Sequence, residues 1–245
     1  MENQGVNVLV FFYLSSAFDT IDHSVLIARM QHRLGISGPI LDWFKSYLSD
    51  RTQCVHINGK FSAPQQLKYD VPQGSGLGPL LFSIYILPLG DIIRKHQMEL
   101  HIYADDIQVY VSVCPTTSNG VKLVVSRLEL CVNNINEWMS ANFLKLNADK
   151  TEVILLGFKT QLAKIDLLHV NIAGVDIPIK SDPVRNLGVM FDSGLTMAAQ
   201  VANVTRSASF QLRNISKARR MLTTDSTKIA VHTWSLQDLT TATAC

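Results

Sequence analysis

Two adjacent carboxylates, Asp105 and Asp106, stand between two apolar runs, Leu100 to Tyr103 and Ile107 to Val113. Almost nothing separates the runs, so a hairpin over 100–104 and 107–113 is expected, with the acidic pair at its tip. Carboxylate oxygens bind Mg²⁺, and paired metal ions can clamp the attacking and leaving oxygens of a phosphoryl transfer. Taken alone, the pair is more often an ordinary turn, because Asp tolerates turn geometry and bonds its own backbone.

Two further stretches carry residue types suited to a phosphate-handling site. Val71-Pro72-Gln73-Gly74-Ser75, with Gly76 and Gly78-Pro79, is rich in glycine just before an apolar helix. Glycine lets a backbone approach a ligand closely, and a helix N-terminus favours a phosphate. A plain loop entering a helix fits equally well. Leu14-Ser15-Ser16-Ala17-Phe18-Asp19-Thr20-Ile21-Asp22-His23 follows an apolar run. Asp19 and Asp22 suit caps and surface positions, and His23 suits a solvent-facing helix start.

The composition allows a scaffold for all three. The chain has 245 residues, 47% of them hydrophobic and 17% charged, which is a globular composition. The net charge of +2 argues against a freestanding nucleic-acid binder. A site with its own carboxylates is less bound by that rule. Cys54, Cys114, Cys131 and Cys245 show neither metal-ligand spacing nor a disulfide framework. An intracellular location, nuclear or cytoplasmic, is the simplest expectation. Val8 to Leu14 is too short for a membrane span and no basic segment precedes it. It reads as a buried central strand, and no membrane is expected.

Periodicity supplies the other elements. Asp22 is placed to cap a helix through Leu26 and Met30 that breaks at Gly35. Leu41, Phe44 and Leu48 predict a second helix. Asn58-Gly59 predicts a hairpin after Gln53 to Ile57. One apolar helix is expected from Leu80 to Ile93, and another from Thr117 to Asn142. Short strands follow at 153–156, 170–172, 177–179 and 187–191, then one long helix over 197–222. The order predicts an α+β fold, an antiparallel sheet with helices on one face.

The order and spacing of these motifs resemble the palm of reverse transcriptases, in the branch of non-LTR (LINE-type) retrotransposons. SSAFDTIDH, VPQGSGLGPLLFSIYILPLGDII, YADD, WMSANFLKLNADKTEV and NLGVMFDSGL are similar to that branch's successive motifs. The similarity runs from about Val8 to about His232. It implies a palm over 1–192 and the start of a helical thumb over 193–233. It implies RNA-templated DNA synthesis with two Mg²⁺ ions, taking an RNA template, a DNA primer and deoxynucleoside triphosphates. Asp105 and Asp106 would hold metal. Phe18 would lie under the incoming sugar, and Gln73 and Gly74 would line the nucleotide pocket. Lys150 would lie near the triphosphate as a proton donor to pyrophosphate; otherwise it is a solvated strand-start lysine. Leu187-Gly188 would form the turn that grips the primer. Arg219 and Arg220, with Lys217, would contact primer and template; otherwise they complement a helix dipole.

Some positions depart from the pattern. The branch places Asp before the Leu-Ser-Ser of its first motif, and here that position is Tyr13. A phenol with a pKa near ~10 is a poor Mg²⁺ ligand at neutral pH. Tyr13 and Asp105 are expected to share a face of the sheet. Asp70 stands where the branch has glycine, and Gly76 where it has a larger apolar residue. Only Met1 to Asn7 precede the first strand, so the fingers region is expected to be absent. The chain is thus expected to be inactive, and the alternative is a non-catalytic remnant that at most binds nucleic acid.

Residues 234–245 are expected to be an out-of-frame tail. The branch continues with something like LVTSRLDYCNCL, whereas this chain reads WSLQDLTTATAC. Codons can be written for Thr233 onwards such that restoring one T before the Trp234 codon yields that continuation. Sequencing the locus should show codons compatible with the restored frame; incompatible codons would remove the frameshift.

Overall fold

The computed structural model describes residues 5–72, 74–114 and 118–242, with the side chains of 118–119 and 234–242 left aside. Gln73 therefore lies outside the described residues. Strand β1 (Val6–Phe12) is followed by the short β2 (Leu14–Ser15). Helices α1 (His23–Leu34) and α2 (Gly38–Leu48) come next. A ribbon of two-residue strands follows: β3 (Thr52–Gln53), β4 (His56–Ile57), β5 (Lys60–Phe61) and β6 (Gln65–Gln66). Then come α3 (Gly78–Ile86), α4 (Leu89–Lys95), β7 (Glu99–Tyr103), β8 (Asp106–Val113) and α5 (Ser118–Ala141). The chain continues through β9 (Lys145–Leu146), β10 (Glu152–Leu156), α6 (Lys159–Leu162), β11 (His169–Ile172) and β12 (Val175–Lys180). It ends with β13 (Val184–Asn186), β14 (Val189–Phe191), α7 (Ala198–Ala218) and α8 (Thr224–Ala242).

Six strands form the main sheet in the order β11-β12-β10-β1-β8-β7. Every neighbouring pair is antiparallel except β10 with β12. β1 pairs along both edges, from Val6↔Val113 to Phe12↔Ile107 and from Asn7↔Leu156 to Phe11↔Glu152. Alternation sends Val6, Val8, Val10 and Phe12 to one face. There they join Ile107 and Val109 of β8, Leu26 and Met30 of α1, Leu81 and Phe82 of α3, and Leu128 and Val132 of α5. Leu9 and Phe11 face the other way, against Ile154, Val184 and Phe191. Burial on both faces explains why this run is continuously apolar rather than alternating.

Local chemistry sets the element ends. Asp22 caps α1, its Oδ1 accepting from the Val25 N–H at 3.0 Å, and Gly35 closes the helix at φ 67°. Asn58 and Gly59 at φ 49° and 78° make the β4–β5 turn of the I′ kind. The single helix expected over 80–93 is instead α3 and α4, broken at Leu87-Pro88, because proline has no N–H to continue the ladder. The helix expected over 197–222 stops at Ala218, followed by a 3₁₀ turn over Arg219–Met221. Leu222 is extended, and Thr223 Oγ1 accepts from the Ser226 N–H at 3.2 Å to cap α8. α8 runs on through position 234 to Ala242. The strand expected over 187–191 is a hairpin, since Leu187 and Gly188 at φ 47° and 84° form its I′-like turn. Position 76 precedes α3 and is not helical, so Gly76 does not weaken that helix.

Asp70 stands in a backbone conformation that suits glycine. Its φ is 93°, in the left-handed region that a side chain disfavours. Arg51 holds it there: Arg51 Nη2 lies 3.1 Å from Asp70 Oδ2, and Arg51 Nη1 donates to the Asp70 carbonyl at 2.9 Å. His23 is not simply solvent-facing, because its Nε2 lies 2.8 Å from the same carbonyl. Asp70→Gly and Asp70→Ala both remove the ion pair, and only the second keeps the strain. The glycine variant should be more stable by about 1–2 kcal/mol in urea unfolding. Equal midpoints would show that the backbone there is unstrained.

Candidate active site

The site is assembled where β1 ends beside the β7–β8 hairpin. Tyr103 pairs with Asp106, leaving Ala104 and Asp105 as a two-residue turn. Only Ala104 of the two has positive φ, 52°, the pattern of a type II′ turn that normally takes glycine first. The acidic pair is therefore at the hairpin tip. Both carboxylates are half-buried.

Tyr13 follows β1 directly and belongs to the face that carries Leu9 and Phe11. By alternation along β8, Ile107 points to the helices and Asp106 to Tyr13's face. Asp105 sits within the turn, where alternation assigns no face. The carboxylate that shares Tyr13's face by register is thus Asp106.

Burial and the neighbouring carboxylates keep the Tyr13 phenol protonated. Burial raises its pKa most, followed by Glu152 and then Asp106, against a smaller lowering by the Asn186 side chain. The hydroxyl donates to the Arg185 carbonyl at 3.3 Å. A neutral phenol engaged in this way does not fit the role of a third anionic ligand. Asp106 is held above the ordinary carboxylate range by burial and then by Asp105. Among the described residues, no three His, Cys, Asp or Glu side chains converge on a possible metal position. Two carboxylates suit one hard cation; a pair of bridged cations lacks an anion here.

Lys150 is tied to the same strand end. The Asn147 N–H donates to the Tyr13 carbonyl at 2.8 Å, and the Asn147 side chain accepts from the Lys150 N–H at 3.2 Å. Lys150 and Tyr13 line one cavity of about 420 Å³, together with Asp149, Glu152 and Lys180. Lys150 itself is exposed. Phe18 lies on the helix side, its ring 5.2 Å from that of Phe82. Its carbonyl accepts from the Val71 N–H at 3.1 Å, which ties the loop bearing Gly74 to it. Gly74 is exposed with φ 76°. The Gly78 N–H, at the α3 N-terminus, is already taken by Ser75.

The β13–β14 hairpin docks through Val184 and Phe191 on Tyr13's face. It brings the Leu187-Gly188 turn next to Asn186, which accepts from Gln108 Nε2 at 2.7 Å. Arg219 and Arg220 are exposed beyond α7, and Arg219 lines a groove between α7 and α8 rather than the cavity beside Tyr13. Sequence reasoning did not single out Glu152, Asn186 or Gln108. Alternation from Val153 and from Ile107 could have placed Glu152 and Gln108 on the acidic face. Asn186 had no such signal, because the docking of its hairpin is a long-range event.

The reverse transcriptase (RNA-dependent DNA polymerase) family profile matches residues 1–191. The chain belongs to that family. A probable RNA-directed DNA polymerase from transposon BS of Drosophila melanogaster is 29% identical over 80% of this chain and 21% of its own length. The RNA-directed DNA polymerase from mobile element jockey of the same species is 24% identical over 88% of this chain and 23% of its own. The chain spans about a fifth of these curated relatives. Within the reverse transcriptases it is a domain of the non-LTR type. Telomerase from Candida tropicalis, solved with a fragment of telomeric RNA, superposes with a TM-score of 0.51 at 15% identity. That overlap covers 86% of this chain and 35% of the telomerase, and it supports the palm-like fold.

In this reverse transcriptase domain Asp106 should make stability depend on pH. A carboxyl with a raised pKa contributes stability below its ordinary value, and that contribution is lost as pH rises through the raised one. Asp106→Asn should therefore raise the melting temperature at neutral pH. The gain should shrink as the pH falls through the raised pKa and be gone below ~4. Thermal melts across that range check this, and a gain independent of pH would contradict it.

Proposed function

We propose that residues 1–192 are the palm of a non-LTR retrotransposon reverse transcriptase, that 193–233 begin its thumb, and that its metal site is impaired. The reaction of the lineage is RNA-directed DNA synthesis, with an RNA template, a DNA primer and deoxynucleoside triphosphates as substrates. The transposon relatives, which are named as RNA-directed DNA polymerases, support this. So does the RNA bound to the telomerase neighbour. Divalent metal use is general in the family. Divalent cations, two Mg²⁺ in an intact site, would supply charge stabilisation to the attacking and leaving oxygens, and Asp105 and Asp106 are the residues here that would hold metal.

The observation that carries the impairment is the neutral Tyr13 phenol on the face of Asp106. The remaining roles follow the arrangement. Asp105 and Asp106 would hold one cation. Phe18 and the loop of Gln73 and Gly74 would line the nucleotide side, with Phe18 stiffened by Phe82. Lys150, which lines the same cavity as Tyr13, would neutralise phosphate and supply a proton. Leu187-Gly188 would press on the primer from the docked hairpin. Arg219 and Arg220 would reach template or primer only along the thumb. The non-catalytic alternative keeps the same surfaces without turnover, and Tyr13 favours it for the chain as it stands.

The test is Mg²⁺-dependent extension of a DNA primer on an RNA template. It compares this domain and its Tyr13→Asp variant, each joined to the fingers segment of a related enzyme. The aspartate form should extend roughly tenfold faster or more, a difference of at least ~1.4 kcal/mol in barrier. Equal rates would show that Tyr13 is no impairment.

A further inference from the structure

The ribbon β3–β6 is left unused by the site just described. Its strands are exposed throughout. At its tip, His56 and Phe61 stack across β4 and β5 with ring centroids 4.3 Å apart and planes 27° apart. Phe61 is 70% exposed and Ile57 65%. An aromatic pair held flat at a ribbon tip offers a ring face to a partner, which core packing does not require. Lys60 stands beside Phe61, opposite Ile57. From Arg51 to Tyr69 the chain contains Arg51, Lys60 and Lys68 and no acidic residue. With Arg51 committed to Asp70, the exposed Lys60 and Lys68 give the ribbon a positive charge.

The base of the ribbon is fixed and adjoins the site. The Leu67 N–H donates to the Arg51 carbonyl at 2.8 Å, and Arg51 is clamped to Asp70. Gln53, Gln66 and Lys68 share a cavity of about 490 Å³ with Asp19, the residue after Phe18. The base of the ribbon thus meets the neighbourhood of Phe18 through Lys68 and two amide side chains, with Asp19 and Asp70 also lining that cavity.

We infer that the ribbon 51–68 is a contact surface for the single-stranded template RNA ahead of the site, with Phe61 stacking on a base and Lys60 on the backbone. This rests on the polymerase reading of the palm. Aromatic faces combined with cations and no acids suit unpaired nucleic acid, whose bases expose π-faces and whose backbone is anionic. A protein partner would bury Val55, Ile57 and Phe61 together without needing the cations. A second copy of this chain would present the same positive charge to itself.

The test uses the full chain and fluorescence anisotropy with two probes: a labelled single-stranded oligouridine, and an RNA template annealed to a DNA primer. Phe61→Ala should weaken oligouridine binding by about fivefold or more. Lys60→Gln should flatten the dependence of log affinity on log salt by about 0.7. Both side chains are exposed, so melting temperatures should not move. Unchanged affinity and slope, with the annealed template still bound, would overturn the ribbon contact and leave the palm reading standing. Failure of the unaltered chain to bind either RNA would overturn both. A shift from dimer to monomer in Phe61→Ala, with RNA affinity unchanged, would make the ribbon a self-association surface and overturn the inference.

Discussion

Strand β1 is enclosed on four sides: β8 along one edge, β10 along the other, helices over one face and the β13–β14 hairpin over the opposite face. Everything chemical in the molecule is positioned from its C-terminal end. A one-residue slip would exchange Val10 and Phe12 for Phe11 and Tyr13 on the helix side, burying a phenol where only apolar partners wait. That penalty locks the register, and the register in turn places Tyr13 beside Asp106. The same strand end carries the carbonyl that anchors Asn147 and so sets Lys150.

Some of the chain's left-handed backbone lies around this point. Ala104, Asp70 and Leu187 each hold positive φ without being glycine. The first bends the acidic hairpin, the second closes the loop behind Phe18, and the third turns the hairpin docked on Tyr13's face. Left-handed backbone at such residues costs on the order of 1–2 kcal/mol each and persists where the surroundings over-determine it. The ladders beside Ala104 and Leu187, and the Arg51 clamp at Asp70, supply that constraint.

Electrostatics and register together set what Tyr13 does at the end of β1. An aspartate there would add a third carboxylate to Asp105 and Asp106, a cluster tolerable only around cations. The phenol removes that repulsion, and it forms a hydrogen bond to Arg185 that helps seat the β13–β14 hairpin. A tyrosine at this strand end is thus compatible with a stable fold.

The motifs, their order and the class of fold were legible in the residues alone. The acidic pair between apolar runs, the Asp22 cap, Gly35 and Asn58-Gly59 act over a few residues, so local sequence determines them. The continuous apolar run of β1 announced burial on both faces for the same reason. What the sequence could not decide depends on partners distant along the chain. Alternation could not assign Asp105 a face, because the turn began one residue earlier than the apolar run suggested. The split of the third helix hung on whether Pro88 bent or broke it. The approach of Asn186 and Glu152 to Tyr13 arises from pairing and docking across more than a hundred residues, and such contacts leave no periodic trace. Only the tertiary structure, by closing β8, β10 and the β13–β14 hairpin around one strand, brought those groups to the phenol.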